Sequence, residues 1–118
     1  MLEPGKEAYV TKIGTSLEAM QAIVGGYIQA VYPWEDPAAI VCNEEGKLLG
    51  LPLNRALYME ENGERMIYDI LAGTAFICGL GEDDFCSLTS EQQDRYLKTF
   101  RNPEAFIQTS RGIVSLML

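Results

Sequence analysis

A helix that runs through a double glycine straight into a strand is the tightest constraint on how this chain can fold. Thr15 opens the helix with Glu18 placed to complete a capping box, and residues 16–25 carry Leu17, Met20, Ile23 and Val24 at helical spacing, which makes one apolar face. Gly25-Gly26 predicts its end, because glycine adopts the left-handed C-cap conformation readily. Tyr27-Ile28-Gln29-Ala30-Val31-Tyr32 follows at once as a strand. Consecutive elements joined this closely pack on one another, so the helix must lie on the sheet that holds this strand.

The rest of the chain alternates short strand signals with turns. Residues 7–13 have strand-like composition, broken by Gly14. Pro33-Trp34-Glu35-Asp36-Pro37 predicts a loop, since two prolines interrupt a ladder. Ala39-Ile40-Val41-Cys42 reads as a buried strand, and the turn Asn43-Glu44-Glu45-Gly46 leads into Lys47–Leu51 as its hairpin partner. Asn62-Gly63 predicts a second hairpin, between Leu57-Tyr58-Met59 and Arg65–Tyr68. Ile70–Leu80 is nearly all apolar and suits one central strand, with Gly73 marking a bulge or close approach. A second helix spans about 90–101, capped by Thr89 with Gln92, its inward face being Tyr96, Leu97 and Phe100. Asn102-Pro103 ends it, and Pro103 suits a further short helix through Ala105, Phe106 and Ile107. The expected fold is α+β: a single compact domain over residues 1–118, mostly antiparallel sheet with two main helices, and an apolar C-terminal extension at about 103–118.

Composition excludes several kinds of chemistry. There is no histidine, so Ser–His–Asp and Cys–His catalysis are ruled out. The cysteines Cys42, Cys78 and Cys86 are odd in number and widely spaced, which suits neither a disulfide framework nor a zinc site. Cys42 and Cys78 sit in apolar runs and read as small buried hydrophobes. Carboxylates alone remain for acid–base work: Asp69 with Glu60 or Glu64, and Asp83 with Asp84. Gly79-Leu80-Gly81 lacks the third glycine of a dinucleotide loop, and Gly46-Lys47 lacks the following hydroxyl residue of a Walker loop. No metal and no cofactor is expected.

The formal charge is −8, with the basic residues scattered, so direct nucleic-acid binding is not expected. No apolar run reaches the roughly 20 residues that span a bilayer, and Met1–Glu7 does not resemble a signal peptide. A cytoplasmic protein is expected. Candidate ligand-binding residues lie at element ends. Tyr32 and Trp34 suit stacking on a flat ligand; Asn43, Asn54 and Thr74 offer hydrogen bonds; Arg55 suits a phosphate or carboxylate. Each has a local alternative: Asn43 fits its turn, Trp34 suits the edge of the core, and Arg55 suits a nearby acid.

The order of these segments resembles a small uncharacterised domain family of phages and integrative mobile elements, mostly in Gram-positive bacteria. The resemblance rests on Val24-Gly25-Gly26-Tyr27-Ile28, Asn43-Glu44-Glu45-Gly46-Lys47, Leu51-Pro52-Leu53-Asn54-Arg55, Gly73-Thr74-Ala75-Phe76-Ile77 and Ser87-Leu88-Thr89, within residues 7–101. It implies a bacterial host cytoplasm and a mobile-element setting, with no activity attached. The leading expectation is therefore a non-catalytic binding protein acting on a host process. Its sharper version is counter-defence, by sequestering a small nucleotide-derived signal between Trp34 or Tyr32 and Arg55. An assembly module binding other copies or a host protein, and a carboxylate-dependent enzyme, stand as alternatives. The apolar tail, Phe106, Ile107, Ile113, Val114, Leu116, Met117 and Leu118, predicts self-association, in the simplest case as a dimer.

Overall fold

The computed structural model describes residues 1–82 and 84–117. Its elements follow in the order α1 (Leu17–Val24), β1 (Ile28–Val31), β2 (Ala38–Asn43), β3 (Leu53–Glu61), β4 (Glu64–Ala72), β5 (Phe76–Leu80), β6 (Phe85–Cys86), α2 (Ser90–Phe100), β7 (Glu104–Thr109) and β8 (Gly112–Met117). All strand pairs are antiparallel, arranged as a β1-β2-β5-β6 sheet and the two ribbons β3-β4 and β7-β8. The expected α+β class holds.

Strand β2 is the centre. Its six residues are all buried, as a continuous apolar run requires when both faces are covered. On one face Ala38, Ile40 and Cys42 pack with Leu57, Leu71, Tyr96 and Phe100, contributed by the β3-β4 ribbon and α2. On the other, Val41 and Phe76 pack with Met20 and Val24 of α1. The register Ile40↔Ile77 and Val41↔Phe76 keeps each pair on its own face.

The helix boundaries follow local chemistry. Ser16, one residue after the expected cap, receives the Ala19 N–H on its hydroxyl at 3.1 Å. Gly25 has φ 78° and donates to the Gln21 carbonyl at 2.8 Å. Leu17 corrects the predicted inward face: it is 54% exposed, and burial begins one turn later at Met20 and continues at Val24. The α2 capping box forms as expected, with Thr89 Oγ1 accepting from the Gln92 N–H and Gln92 Oε1 from the Thr89 N–H. The Asn62-Gly63 turn also forms, with φ of 52° and 81°, and joins longer strands than the local signal indicates.

Four expectations are corrected. Residues 7–13 form no strand, and their main chain bonds instead at Ala8 to the Arg101 carbonyl and at Tyr9 to the Met1 carbonyl. Lys47–Leu51 does not pair with β2, because β1 and β5 already hold both edges of β2. Residues 44–50 instead fold into successive turns, closed by Leu49 N–H to Glu45 and Leu51 N–H to Gly46. The run 70–80 is two strands rather than one, divided at Gly73, whose φ of 82° and 2.7 Å approach of any Cβ to Leu51 suit glycine alone. Residues 104–109 are strand β7 and not helix, because β-branched residues in 112–117 offer them a complete antiparallel ladder through the turn at Gly112. Asp83 and Leu118, and the Met117 side chain, lie outside the described residues.

The β7-β8 ribbon is fastened to β3 by one buried carboxylate. Glu104 accepts from the Ala56 N–H at 3.3 Å, the Tyr58 hydroxyl at 3.4 Å and the Ser115 hydroxyl. A buried carboxylate needs such partners, since leaving it bare costs far more than an ordinary hydrogen bond contributes.

Candidate functional site

Of the residues expected to form one site, Asn54 and Arg55 bond to each other and Trp34 packs on the Phe100 whose carbonyl Arg55 holds, but Asn54 and Arg55 are buried and structural. Arg55 and Asn54 are 0% exposed. The Arg55 guanidinium donates to the Phe100 carbonyl at 3.1 Å, the Glu3 carbonyl at 3.3 Å, Asn54 Oδ1 at 2.8 Å and the Lys6 carbonyl at 2.6 Å. Phe100 ends α2, so the cation also meets the negative end of that helix. Burial lowers the Arg55 pKa, and the Glu104 charge opposes that shift. Asn54 Nδ2 donates to the Leu2 and Gly73 carbonyls, each at 2.9 Å. Together they tie the N-terminal segment to α2 and the β4–β5 junction. Neither can reach a phosphate.

Trp34 takes its local role as well. Its ring stacks on Tyr96 with centroids 4.4 Å apart and meets Phe100 edge-on at 6.1 Å. Tyr32, by contrast, is 61% exposed. Asn43 is buried, donating from Nδ2 to the Val24 carbonyl at 3.1 Å and accepting the Glu45 N–H at 2.8 Å, so it caps α1 and closes its own turn. Thr74 is half-buried between the strands. The carboxylate candidates are also separate: Asp69 pairs with Lys47 and accepts the Ile70 N–H, while Glu60 stands opposite Arg65 at an exposed ribbon tip.

A roomy cleft lies elsewhere. Residues 8–15 run as a strap over the edge formed by β5 and β6, and a cleft of about 650 Å³ opens beneath them. Apolar groups make its wall: Met20 from α1, Phe76 and Ile77 from β5, Phe85 from β6, Leu88, and Leu97 from α2. Thr11, Thr15, Ser87 and Gln93 add polar groups, and Lys12 adds a positive charge. No acidic residue is among its described lining, in a chain with 17 of them. Among the described residues, the main chain of Val10–Thr15 makes no backbone hydrogen bond, which leaves its N–H and C=O groups free to meet a ligand. Burial pushes the Cys78 thiol in this wall up to about 11, so it stays protonated and a poor nucleophile. Sequence reasoning missed the cleft because alternation in 7–13 resembles a strand; Gly14 and the polar Thr11-Lys12 pair were the only local signs against one.

A smaller cavity of about 320 Å³ lies between the 43–48 turns and β4, with Cys42 and Asn43 in its wall and the Lys47–Asp69 pair beside it. Burial raises the Cys42 pKa, and Asp69 adds to the shift. Among the described residues no group of three His, Cys, Asp or Glu side chains is placed to hold a metal. None of the described helices is long and apolar enough to cross a membrane.

One polar cluster sets a pH expectation. Asp36 accepts from the Tyr96 hydroxyl, from Gln92 Nε2 at 3.1 Å and from Arg95 at 3.1 Å, and the Tyr96 bond holds its carboxyl below the usual range. Burial and that same bond push Tyr96 up to about 12. A lowered carboxyl pKa contributes stability that is present above the unfolded value, roughly pH 4, and fades as pH falls. The raised phenol contributes below about pH 10 and loses its contribution as pH rises towards 12. Urea midpoints measured from neutral pH to acid should therefore fall less steeply in Asp36→Asn than in the wild type. Identical slopes would show that Asp36 has no part in the acid limb.

Residues 1–101 match the family described as Domain of unknown function (DUF3846), so the chain belongs to that family, and the β7-β8 ribbon lies beyond the match. Neither curated proteins nor solved structures gave a match.

Proposed function

We propose that this member of the family is a non-catalytic binding protein, and that its ligand occupies the cleft beneath residues 8–15. The cleft itself carries the reading. Its volume of about 650 Å³ lies in the range of small-molecule sites, and such sites are mostly apolar with a few polar groups that fix orientation. An acid-free lining with Lys12 at its side favours a small, largely apolar ligand that is neutral or singly negative. A polyphosphate is disfavoured, because Arg55 is enclosed by carbonyls and a single lysine replaces it here. The nucleotide-capture version therefore gives way to capture of a less charged molecule. We keep the mobile-element setting that the resemblance implies, with stoichiometric capture of a host small molecule in the cytoplasm.

Anilinonaphthalene sulfonate, an aromatic monoanion, is a suitable probe. The wild type should bind it saturably at one site. Ser87→Trp, an exposed position on the cleft wall, should fill the space and weaken binding at least tenfold while leaving the thermal midpoint nearly unchanged. Equal binding by the variant, or no saturable binding by the wild type, would overturn the assignment of the cleft.

A further inference from the structure

The outer half of the β3-β4 ribbon presents two unlike faces. Directly opposed residues share a face, and so do residues two apart on one strand. One face carries Tyr58 opposite Ile67 and Glu60 opposite Arg65, and the molecule uses it internally. The Arg65 guanidinium lies 3.8 Å from the centre of the Tyr58 ring, and the Tyr58 hydroxyl donates to Glu104. The other face carries Met59 opposite Met66 and, at the tip, Glu61 opposite Glu64. Met59 and Met66 are 45% and 47% exposed, and Tyr68, at the bulge two residues beyond Met66, is 48% exposed. Both glutamates are exposed too. Like charges set directly opposite one another destabilise a ladder. Among the described residues neither Glu61 nor Glu64 has a salt-bridge partner. The ribbon's two arginines give no relief, since Arg65 lies on the other face and carbonyls enclose Arg55.

We propose that this face docks a basic amphipathic helix of another protein, with apolar side chains on Met59 and Met66 and a lysine or arginine between Glu61 and Glu64. Local charge selects this occupant. A cation between the two carboxylates replaces their mutual repulsion with two attractions. Nucleic acid or an anionic lipid surface would add to the repulsion instead. A second copy meeting this face about a two-fold axis would bring the same acidic pair into the contact. A bare metal ion would find two carboxylates and no third ligand, because no group of three His, Cys, Asp or Glu side chains gathers among the described residues. Spacing agrees with a helix. The glutamate pair stands two residues from the methionine pair, about 7 Å along the strands, and residues four apart on a helix are separated by about 6 Å. Methionine adapts its shape and packs against varied apolar groups, which suits a docking surface. The overall charge of −8 draws a basic partner in from a distance. None of these residues lines the cleft beneath residues 8–15, so the two readings stand apart.

Titration calorimetry with a synthetic amphipathic helix of leucine and lysine, at physiological ionic strength, tests this. The wild type should bind the peptide saturably at one site. Replacing both Glu61 and Glu64 with glutamine should weaken binding about tenfold. Replacing Glu44 and Glu45 with glutamine removes the same charge from another exposed turn and should change binding by less than about twofold. Met66→Ser should weaken it by about tenfold as well, through the lost apolar contact. No saturable binding by the wild type, equal losses in the two glutamine pairs, or no loss in Met66→Ser would each overturn the proposal. A further measurement needs no peptide. At low salt the urea midpoint of Glu61→Gln should lie above that of the wild type, because one of two opposed charges is gone. A midpoint at or below the wild-type value would show no repulsion for a cation to relieve, and would also overturn it.

Discussion

Replacing Arg55 with methionine should destabilise the protein by about 3–5 kcal/mol, the range observed when one partner of a buried charged network is removed. The carbonyls of Phe100, Glu3 and Lys6 and the Asn54 side chain would all lose a donor at once. Each buried acceptor left without a partner costs roughly 1–3 kcal/mol, although the carbonyls nearer the surface recover water and lower the total. Glu104 would also lose the opposing charge of Arg55, with which it interacts. Arg55→Lys should recover little of this, because one ammonium cannot span four acceptors held in different directions. Urea denaturation measures the loss. A midpoint shift worth less than about 1 kcal/mol would mean that water replaces the guanidinium and that the residue does not organise the core. The distinction matters for function, since a binding arginine would lower affinity without lowering stability.

Phe76→Ala is the second large effect, expected at about 3–5 kcal/mol for a buried phenylalanine. Phe76 is 2% exposed and is paired with Val41 on the face covered by Met20 and Val24. That layer has few members, so removing its one fully buried ring leaves α1 with little to pack against. Phe76→Leu should lose less than half as much, because most of the volume is kept. The two urea midpoints, read together, separate the cavity effect from any loss of ring chemistry. If alanine and leucine proved equally mild, α1 would owe its place to its caps rather than to this layer. Because Phe76 also lines the cleft, the alanine variant is no control for ligand binding.

The two clusters hold different parts of the molecule together. Arg55 holds the N-terminal segment to the β3-β4 ribbon and α2, whereas Phe76 holds α1 to the main sheet. The cleft lies where those assemblies leave a gap, covered by a strap that neither of them hydrogen-bonds along residues 10–15. Rigid walls beneath a loosely held cover suit a site that must admit a ligand.

What was legible in the sequence was local. The α2 capping box, the glycine end of α1, the Asn62-Gly63 turn and the buried run at β2 each depend on residues within a few positions of one another. Their physics is complete inside that window. What the tertiary structure alone decided depends on which edges and faces were still free. Lys47–Leu51 has strand composition but found both edges of β2 occupied, and residues 7–13 bond at Ala8 and Tyr9 to Arg101 and Met1 rather than to a sheet. Leu17 has the correct helical spacing and yet lies beyond the sheet that its neighbours cover. Arg55 shows the limit most clearly. Its sequence neighbours place it at the start of a strand, but the carbonyls that enclose it come from residues 3, 6 and 100, so its role became visible only when distant segments met.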